Sequence, residues 1–342
     1  QVDIEGNVSL RGNSNFTVLI DDRPTVLDAN DALQQIPAAM IKDIEIITNP
    51  SAKYDPEGTG GIINIITKKR TLEGISGIAH VDVGLDEKYG GDFLLNFRNE
   101  HFNFFVGGDY RNHTYPGFNE QEIRTYSADT TFYLTNDGSH SRGRRSYGAR
   151  AGFEWFPNDR NALTVSGRYG SRSHMGESYN DYKKWNTFSP ERTRYANDES
   201  SERSGNFTAL NTEYTHKFNG NKHKLDVQMM LYRRDGSEES VNTLYNIRDV
   251  IENSQKSLEG GPAQGMRYRL NYMQPFYTWL NLEAGAQGRL GQSDEWNEMY
   301  YYDTLTGDYD LQPLFSNNSS YARSIHAGYA LANGEISNLG YQ

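Results

Sequence analysis

The side chains best suited to binding chemistry lie in long polar stretches: Tyr115, Phe118, Tyr126, Tyr179, Tyr182, Trp185, Trp296, Tyr300, Tyr301 and Tyr302. Aromatic faces stack on sugars, and phenol and indole tips add hydrogen bonds. The same residues would also serve as loop packing or as an aromatic belt, and the sequence leaves those alternatives open. Asp303, Gly307, Asp308 and Asp310 lie close together and could hold Ca²⁺ through oxygens. They lack the Glu and the register of an EF-hand loop, so a solvated acidic turn is the expectation. The eight histidines include no i, i+4 pair on a helix. Zero cysteines exclude disulfides, zinc-thiolate sites and thiol nucleophiles. There is no Gly-x-Ser-x-Gly elbow, P-loop or dinucleotide fingerprint. Gly58-Thr59-Gly60-Gly61 feeds a strand pattern, so it lacks the helix N-terminus that phosphate binding uses. The expected chemistry is recognition, with no catalysis, no cofactor and no structural metal.

The elements that must position these residues follow from composition. The chain has 342 residues, room for two ordinary domains or one large β-architecture. Only 36% is apolar, and no run approaches the roughly 20 apolar residues of a membrane helix. A membrane β-barrel stays open, because its alternating strands average out as polar. Aromatics reach 13%, led by 24 Tyr, which suits interface belts or a binding surface. The formal charge of −11 argues against nucleic acid as a partner.

Two textures meet near residue 70. Before it, short β-branched runs at 8–10, 16–20, 41–48 and 62–67 predict strands. Asp21 to Pro24 predicts a turn, Ala32 to Met40 a short helix capped by Asp31, and Asn49 to Gly61 a loop. After residue 71 the period is two. Tyr147, Ala149, Ala151, Phe153 and Trp155 alternate with Gly148, Arg150, Gly152 and Glu154. About ten such strands can be counted, with an eleventh starting near 335. The polar set puts Asp82, Arg98, Asp109, Arg150, Glu154 and Arg168 on one side of the wall.

The connections alternate between tight and long. Tight turns are expected at Asn99-Glu100, Pro157 to Asn161, Asn219 to Asn221, Gln274 to Phe276 and Asn333-Gly334. Long loops are expected near 113–143, 172–204, 235–263 and 292–320. Short turns at one end and long loops at the other are the asymmetry of a transmembrane barrel. Aromatics beside the tight turns, such as Phe102, Trp155, Tyr277 and Trp279, sit where an interface girdle belongs. A barrel in lipid cannot keep an open edge, so these strands are expected to be half of a larger barrel.

Four blocks carry a family resemblance: Val8-Ser9-Leu10-Arg11-Gly12-Asn13, Val18-Leu19-Ile20-Asp21, Ile44-Glu45-Ile46-Ile47, and Gly60 through Lys68, with Tyr54 ahead of the last. In order and spacing they resemble the plug domain of TonB-dependent outer-membrane receptors. Asn49 through Gly58 is similar to the branch of outer-membrane β-barrel family proteins. Asp21-Asp22 departs from the usual Asp-Gly, so that turn is expected to differ.

The resemblance implies a mainly β fold, with a small α/β plug followed by the antiparallel strands of a transmembrane barrel. Residues 1–70 would be the C-terminal part of the plug. Residues 71–342 would be the N-terminal half of the barrel, about ten or eleven strands of a 22-stranded wall. It implies a multi-pass barrel in the outer membrane of a Gram-negative bacterium that takes up a siderophore, glycan or peptide nutrient. The implied partners are the TonB–ExbB–ExbD complex, reached through an upstream segment, outer-membrane lipids, the substrate, and a surface lipoprotein. Plug apices facing outward would hold Arg11, Asn13, Ser14, Asn15, Phe16, Thr25 and Asp28. Arg11 and Glu45 match positions of a plug–barrel ionic network. Two alternatives stay open: a surface receptor or adhesin that transports nothing, and a soluble carbohydrate-binding β-domain.

Overall fold

The computed structural model describes residues 8–10, 16–20, 23–24, 33, 41–47, 61–67, 74–218, 223–277, 279–336 and 339–341. Two sheets account for nearly all of them. The first contains β1 (Thr17–Ile20), β2 (Arg23–Pro24), β3 (Ile41–Ile47) and β4 (Ile62–Thr67), in the order β2-β1-β4-β3. β1 runs parallel to β4, and both neighbours across the sheet are antiparallel. Ile20 pairs with Arg23 and Leu19 with Pro24, so the turn expected over 21–24 is a hairpin whose last two residues already pair. Val8 and Leu10 each make a single bridge where the sequence predicts a short strand. Of the helix expected over 32–40, Leu33 is helical and the rest lies outside the described residues.

β1 and β4 are rich in β-branched residues and are buried on both faces, as parallel central strands must be. Phe16, Val18, Ile63 and Ile65 form the core on one face, and Val8, Leu10, Leu33 and Ile41 pack against it. Leu19, Ile62 and Asn64 are buried on the other. Asn64 donates from Nδ2 to Glu45 Oε2 at 3.0 Å, which satisfies a fully buried amide. Ile65→Ala removes core volume that β1 and β4 cannot close. It should cost about 2–5 kcal/mol. The check is limited trypsin digestion of the full-length protein: the small sheet becomes cleavable while the long antiparallel sheet stays resistant.

The second sheet is wholly antiparallel. Its strands are β5 (Gly74–Val83), β6 (Tyr89–Arg98), β7 (Phe102–Ser127), β8 (Thr130–Asn158), β9 (Asn161–Asn186), β10 (Thr193–Lys217), β11 (Lys224–Tyr245), β12 (Ile251–Tyr277), β13 (Leu280–Tyr302), β14 (Tyr309–Leu311), β15 (Asn317–Ile336) and β16 (Leu339–Tyr341). Each pairs with the next in chain order, except that β14 folds back on β13 alone and β15 takes the next place in the wall. Such an up-and-down meander is the topology of a barrel wall.

Most of the stretches expected as long loops are paired strand; the widest break left is 303–316, which holds β14 and one 3-10 turn. β7 and β8 stay paired from Phe102–Trp155 up to Ser127–Thr130. β9 with β10, β10 with β11, and β11 with β12 continue in the same way. The strand signal in the sequence ends where both faces meet water, but the backbone ladder needs no apolar face to continue. β8 alone has 29 residues, roughly three times the 9–11 that cross a membrane. The remainder stands as a paired hairpin beyond it. Two turn positions also move. β12 runs on to Tyr277, past the turn expected at 274–276, and β15 runs through Asn333-Gly334 to Ile336.

The two faces of this sheet differ chemically. On one, Leu95, Val106, Ala151, Gly167, Leu210, Leu231, Met266 and Leu290 are successive cross-strand partners. Leu95 is 49% exposed, Leu210 44% and Leu270 42%. So broad an apolar face exceeds what water-facing surfaces carry and is satisfied by lipid. Tyr89, Tyr110, Tyr147 and Tyr169 border this band above, with Tyr89 and Tyr110 rings 6.1 Å apart. Phe102, Trp155, Tyr277 and Trp279 border it at the tight turns; Tyr277 and Trp279 stack at 5.2 Å. These are aromatic girdles at the two interfaces.

Candidate functional site on the lumen wall

The opposite face is polar. Arg150, Arg168, Ala209, Tyr232, Gly265 and Gly291 are successive partners on it, and Asp92 faces Asp109 across β6 and β7. Small and large residues interlock. Gly170 lies under the Phe207 ring and Gly265 under Tyr232, so a side chain at either glycine would collide with the aromatic. The Arg168 guanidinium sits 5.6 Å from the Phe207 ring centre. Asn103 donates to Glu154 at 3.0 Å. Asp82, Arg98, Asp109, Arg150, Glu154 and Arg168 all fall on this side, as the alternation requires.

A concavity forms higher on the same face. Gly205 on β10, Gly236 on β11 and Gly261 on β12 are register partners, and Arg172 on β9 pairs with Gly205. Three strands without side chains at one level leave a trough. A Cβ at Gly205 would lie 3.0 Å from Asp235 O, and one at Gly236 3.0 Å from Ser204 O. Gly261 has φ +145°, a conformation other residues rarely adopt. The resulting cavity is about 370 Å³, within the range of small-ligand sites.

Charge is graded across it. Arg172, Arg203, Arg233 and Arg234 line it from β9 to β11, Asp235 and Glu238 share β11 with the last two, and Glu259 and Glu295 line it from β12 and β13. Arg203 Nε approaches Glu238 Oε2 at 3.7 Å. His174 pairs with Arg203 in the β9–β10 register, above the apolar band. Burial, followed by the charges of Arg144, Arg172 and Arg203, pushes its imidazole down to about 4. His174 is therefore neutral at pH 7 and leaves the basic side to the arginines.

The aromatics singled out from the sequence divide between the faces. Tyr115, Tyr182 and Tyr301 are on the lumen side. Lys88 Nζ lies 4.5 Å from the Tyr115 ring, Tyr182 stacks on Tyr195 at 4.8 Å, and Tyr301 tilts against Phe315 at 6.2 Å. Phe118, Tyr126, Tyr179, Trp185, Tyr300 and Tyr302 alternate onto the outer face; Trp296 does so by register but also contributes to the lining of the cavity. Trp185 stacks on Tyr133 at 5.2 Å, with Arg192 4.7 Å from its ring, so neighbours already engage its indole. Tyr300 donates to Glu298 at 2.6 Å, and Tyr179 accepts from Arg194 at 3.5 Å. Asp303 closes a turn, accepting from Leu305 N at 2.8 Å. Phe16 is 5% exposed within the plug core and offers no outward ring, contrary to the apex expectation. Its ring fills the space between Val18 and Ile65 because the apolar choice wins over exposure. Arg11, Asn13, Ser14, Asn15, Thr25 and Asp28 lie outside the described residues. Glu45 accepts from Asn64. The trough itself was missed from the sequence. Gly205, Gly236 and Gly261 are far apart along the chain, and only strand register aligns them.

A compact β-sheet with a buried centre, followed by an antiparallel wall with one lipid face and one polar face, defines a plug-and-barrel protein of the outer membrane. Residues 2–62 match the family model described as TonB-dependent Receptor Plug Domain, and residues 216–342 match the Outer membrane protein beta-barrel family. Residues 2–62 are thus similar to a plug domain and residues 216–342 to an outer-membrane barrel, which places the chain in the outer membrane. That residence removes the soluble alternative. Among solved structures it is similar to the ferric yersiniabactin uptake receptor FyuA from Yersinia pestis. Identity is 11% and the TM-score 0.43, over 94% of this chain and 54% of that one. It is also similar to the ferric-catecholate import receptor Fiu from E. coli K12, at 12% identity and a TM-score of 0.40, over 94% of this chain and 61% of that one. The chain thus spans little more than half the length of these receptors.

Proposed function

We propose that the full-length protein is a ligand-gated importer energised by the TonB–ExbB–ExbD complex. Residues 1–70 act in the plug and 71–342 in the first half of the barrel. The observation that carries this reading is the plug match at 2–62 ahead of a barrel wall with a ligand-sized cavity on its polar face. The substrate enters from the hairpin side and rests on the lumen wall. TonB then pulls on a segment upstream of the plug and opens a path. Arg11 and Glu45 contribute to the plug–barrel ionic contacts, where a buried pair fixes geometry more than it adds stability. Plug apices at Arg11 to Phe16 and Thr25 to Asp28 contribute backbone and polar side chains to the ligand, without the Phe16 ring. A surface lipoprotein could cap the hairpins, and tyrosines 115, 182 and 301 are the aromatics placed to meet a ligand from the lumen side.

The test is growth on a nutrient that depends on this receptor, in cells with and without TonB. Loss of growth without TonB, with receptor abundance unchanged, is the expected result. Growth that persists without TonB overturns the importer reading and favours a receptor that does not transport.

A further inference from the structure

The trough is more specific than a generic polar lumen, and its charge layout selects a class of ligand. Resting on the importer reading above, we propose that it binds a short zwitterionic peptide. The C-terminal carboxylate meets Arg203 and Arg234, and the N-terminal ammonium meets Glu259 and Glu295.

Three observations carry this. The first is spacing. The arginines that meet the carboxylate stand on β10 and β11 and the glutamates that meet the ammonium on β12 and β13. Neighbouring strands are about 4.8 Å apart, so β10 and β13 are roughly 14 Å apart at the backbone. The inward reach of two long side chains shortens that gap. An extended peptide covers about 3.3–3.6 Å per residue, so two or three residues bridge what is left. The second is the floor. Gly205, Gly236 and Gly261 remove side chains from the strip between the two charged banks, and the cavity of about 370 Å³ lies over it. A peptide backbone can approach a glycine floor closely. The third is availability. In the contact of Arg203 with Glu238 at 3.7 Å, the arginine side chain is 65% exposed. It is free to turn toward a carboxylate, which it binds in a planar, two-pronged fashion. His174 stays uncharged at neutral pH for the reasons given above, so the basic bank keeps its charge on guanidinium groups that do not titrate. A neutral glycan would use neither bank, and a purely anionic chelate would leave three glutamates facing negative charge.

The experiment is isothermal titration calorimetry on the full-length receptor purified from outer membranes in detergent. The probes are tri-alanine, its N-acetyl form and its C-terminal amide, chosen because methyl side chains leave the two termini as the only charges. Tri-alanine should bind, and each capped form should bind at least tenfold more weakly. In the double variant Arg203→Gln/Arg234→Gln the free acid and the amide should become nearly equal, while acetylation still weakens binding. In Glu259→Gln/Glu295→Gln the pattern should reverse. Each variant therefore keeps one intact response, which shows that it is folded. Equal binding of all three probes overturns the proposal, as does no binding of tri-alanine. If tri-alanine fails to bind while TonB-dependent growth is intact, the peptide assignment falls and the importer reading stands. If growth is independent of TonB while the capped peptides discriminate as predicted, the importer reading falls and the site stands.

Discussion

Leu231→Arg in the full-length receptor is expected to lower the stability of the barrel in lipid vesicles by about 2–4 kcal/mol, the cost of a cation near the bilayer midplane. Leu231 sits between Leu210 and Met266 on the apolar face, with more apolar neighbours on either side along that rung. A guanidinium there meets hydrocarbon and must stretch toward the headgroups or draw in water. Gln228→Arg supplies the contrast. Gln228 lies three positions earlier on β11, on the lumen face between Glu213 and Arg269. A cation there meets water, the Glu213 carboxylate on one side and the like charge of Arg269 on the other, so the change should stay within about 1 kcal/mol. Urea unfolding of both variants in the same vesicles, followed by Trp fluorescence, measures the difference. Equal costs would mean that the two faces are assigned the wrong way round.

Gly261→Ala should be the most damaging small substitution in the wall. Gly261 has φ +145°, and a Cβ built on it collides with the backbone carbonyl of Asp294 on β13. The backbone strain alone costs about 1–3 kcal/mol. The collision adds to that, because the carbonyl belongs to a neighbouring strand and cannot move without breaking the ladder beside it. The β12–β13 pairing is already interrupted there: Gly260 pairs with Trp296 and Ala263 with Ser293, with no paired residues between. The expected result is a sharp fall in folded receptor in the outer membrane, seen as loss of the heat-modifiable band on electrophoresis. Gly291→Ala is the control, since a Cβ at Gly291 has only the Tyr232 hydroxyl near it, at 3.6 Å. Similar folded amounts for both variants would show that the strain at 261 is absorbed.

The sequence expresses the membrane-spanning part of this fold directly. Within the bilayer, one face of every strand meets lipid and the other meets water. Residues such as Ala149, Ala151, Phe153 and Trp155 must then alternate with Arg150, Gly152 and Glu154. That alternation marks eleven of the twelve strands of this sheet, all but the short β14, and the polar side of the wall. Above the bilayer both faces meet water and the alternation stops. The paired hairpins there read as loops, although their ladders continue for more than ten residues. The plug core was legible for a related reason. Ile62-Ile63-Asn64-Ile65-Ile66 is buried on both faces, and a run of β-branched residues marks such a strand.

By itself, then, the sequence determined the class of protein, the order of plug and wall, and the face of each membrane strand that meets lipid. The lipid face of each strand is set by periodicity, which the chain carries from residue to residue, while the class and the order follow from the resemblance of the blocks within 8–68 to a plug domain. Only the tertiary structure decided which aromatics look into the lumen, that Phe16 is spent on the plug core, and that Gly205, Gly236 and Gly261 stand side by side. Those outcomes depend on register between strands. Register is fixed by the sum of many cross-strand contacts and by the positions of the turns, so one residue of slip would turn every side chain to the other face. The charge-graded trough exists only because that sum places basic residues of β9 to β11 beside acidic residues of β11 to β13.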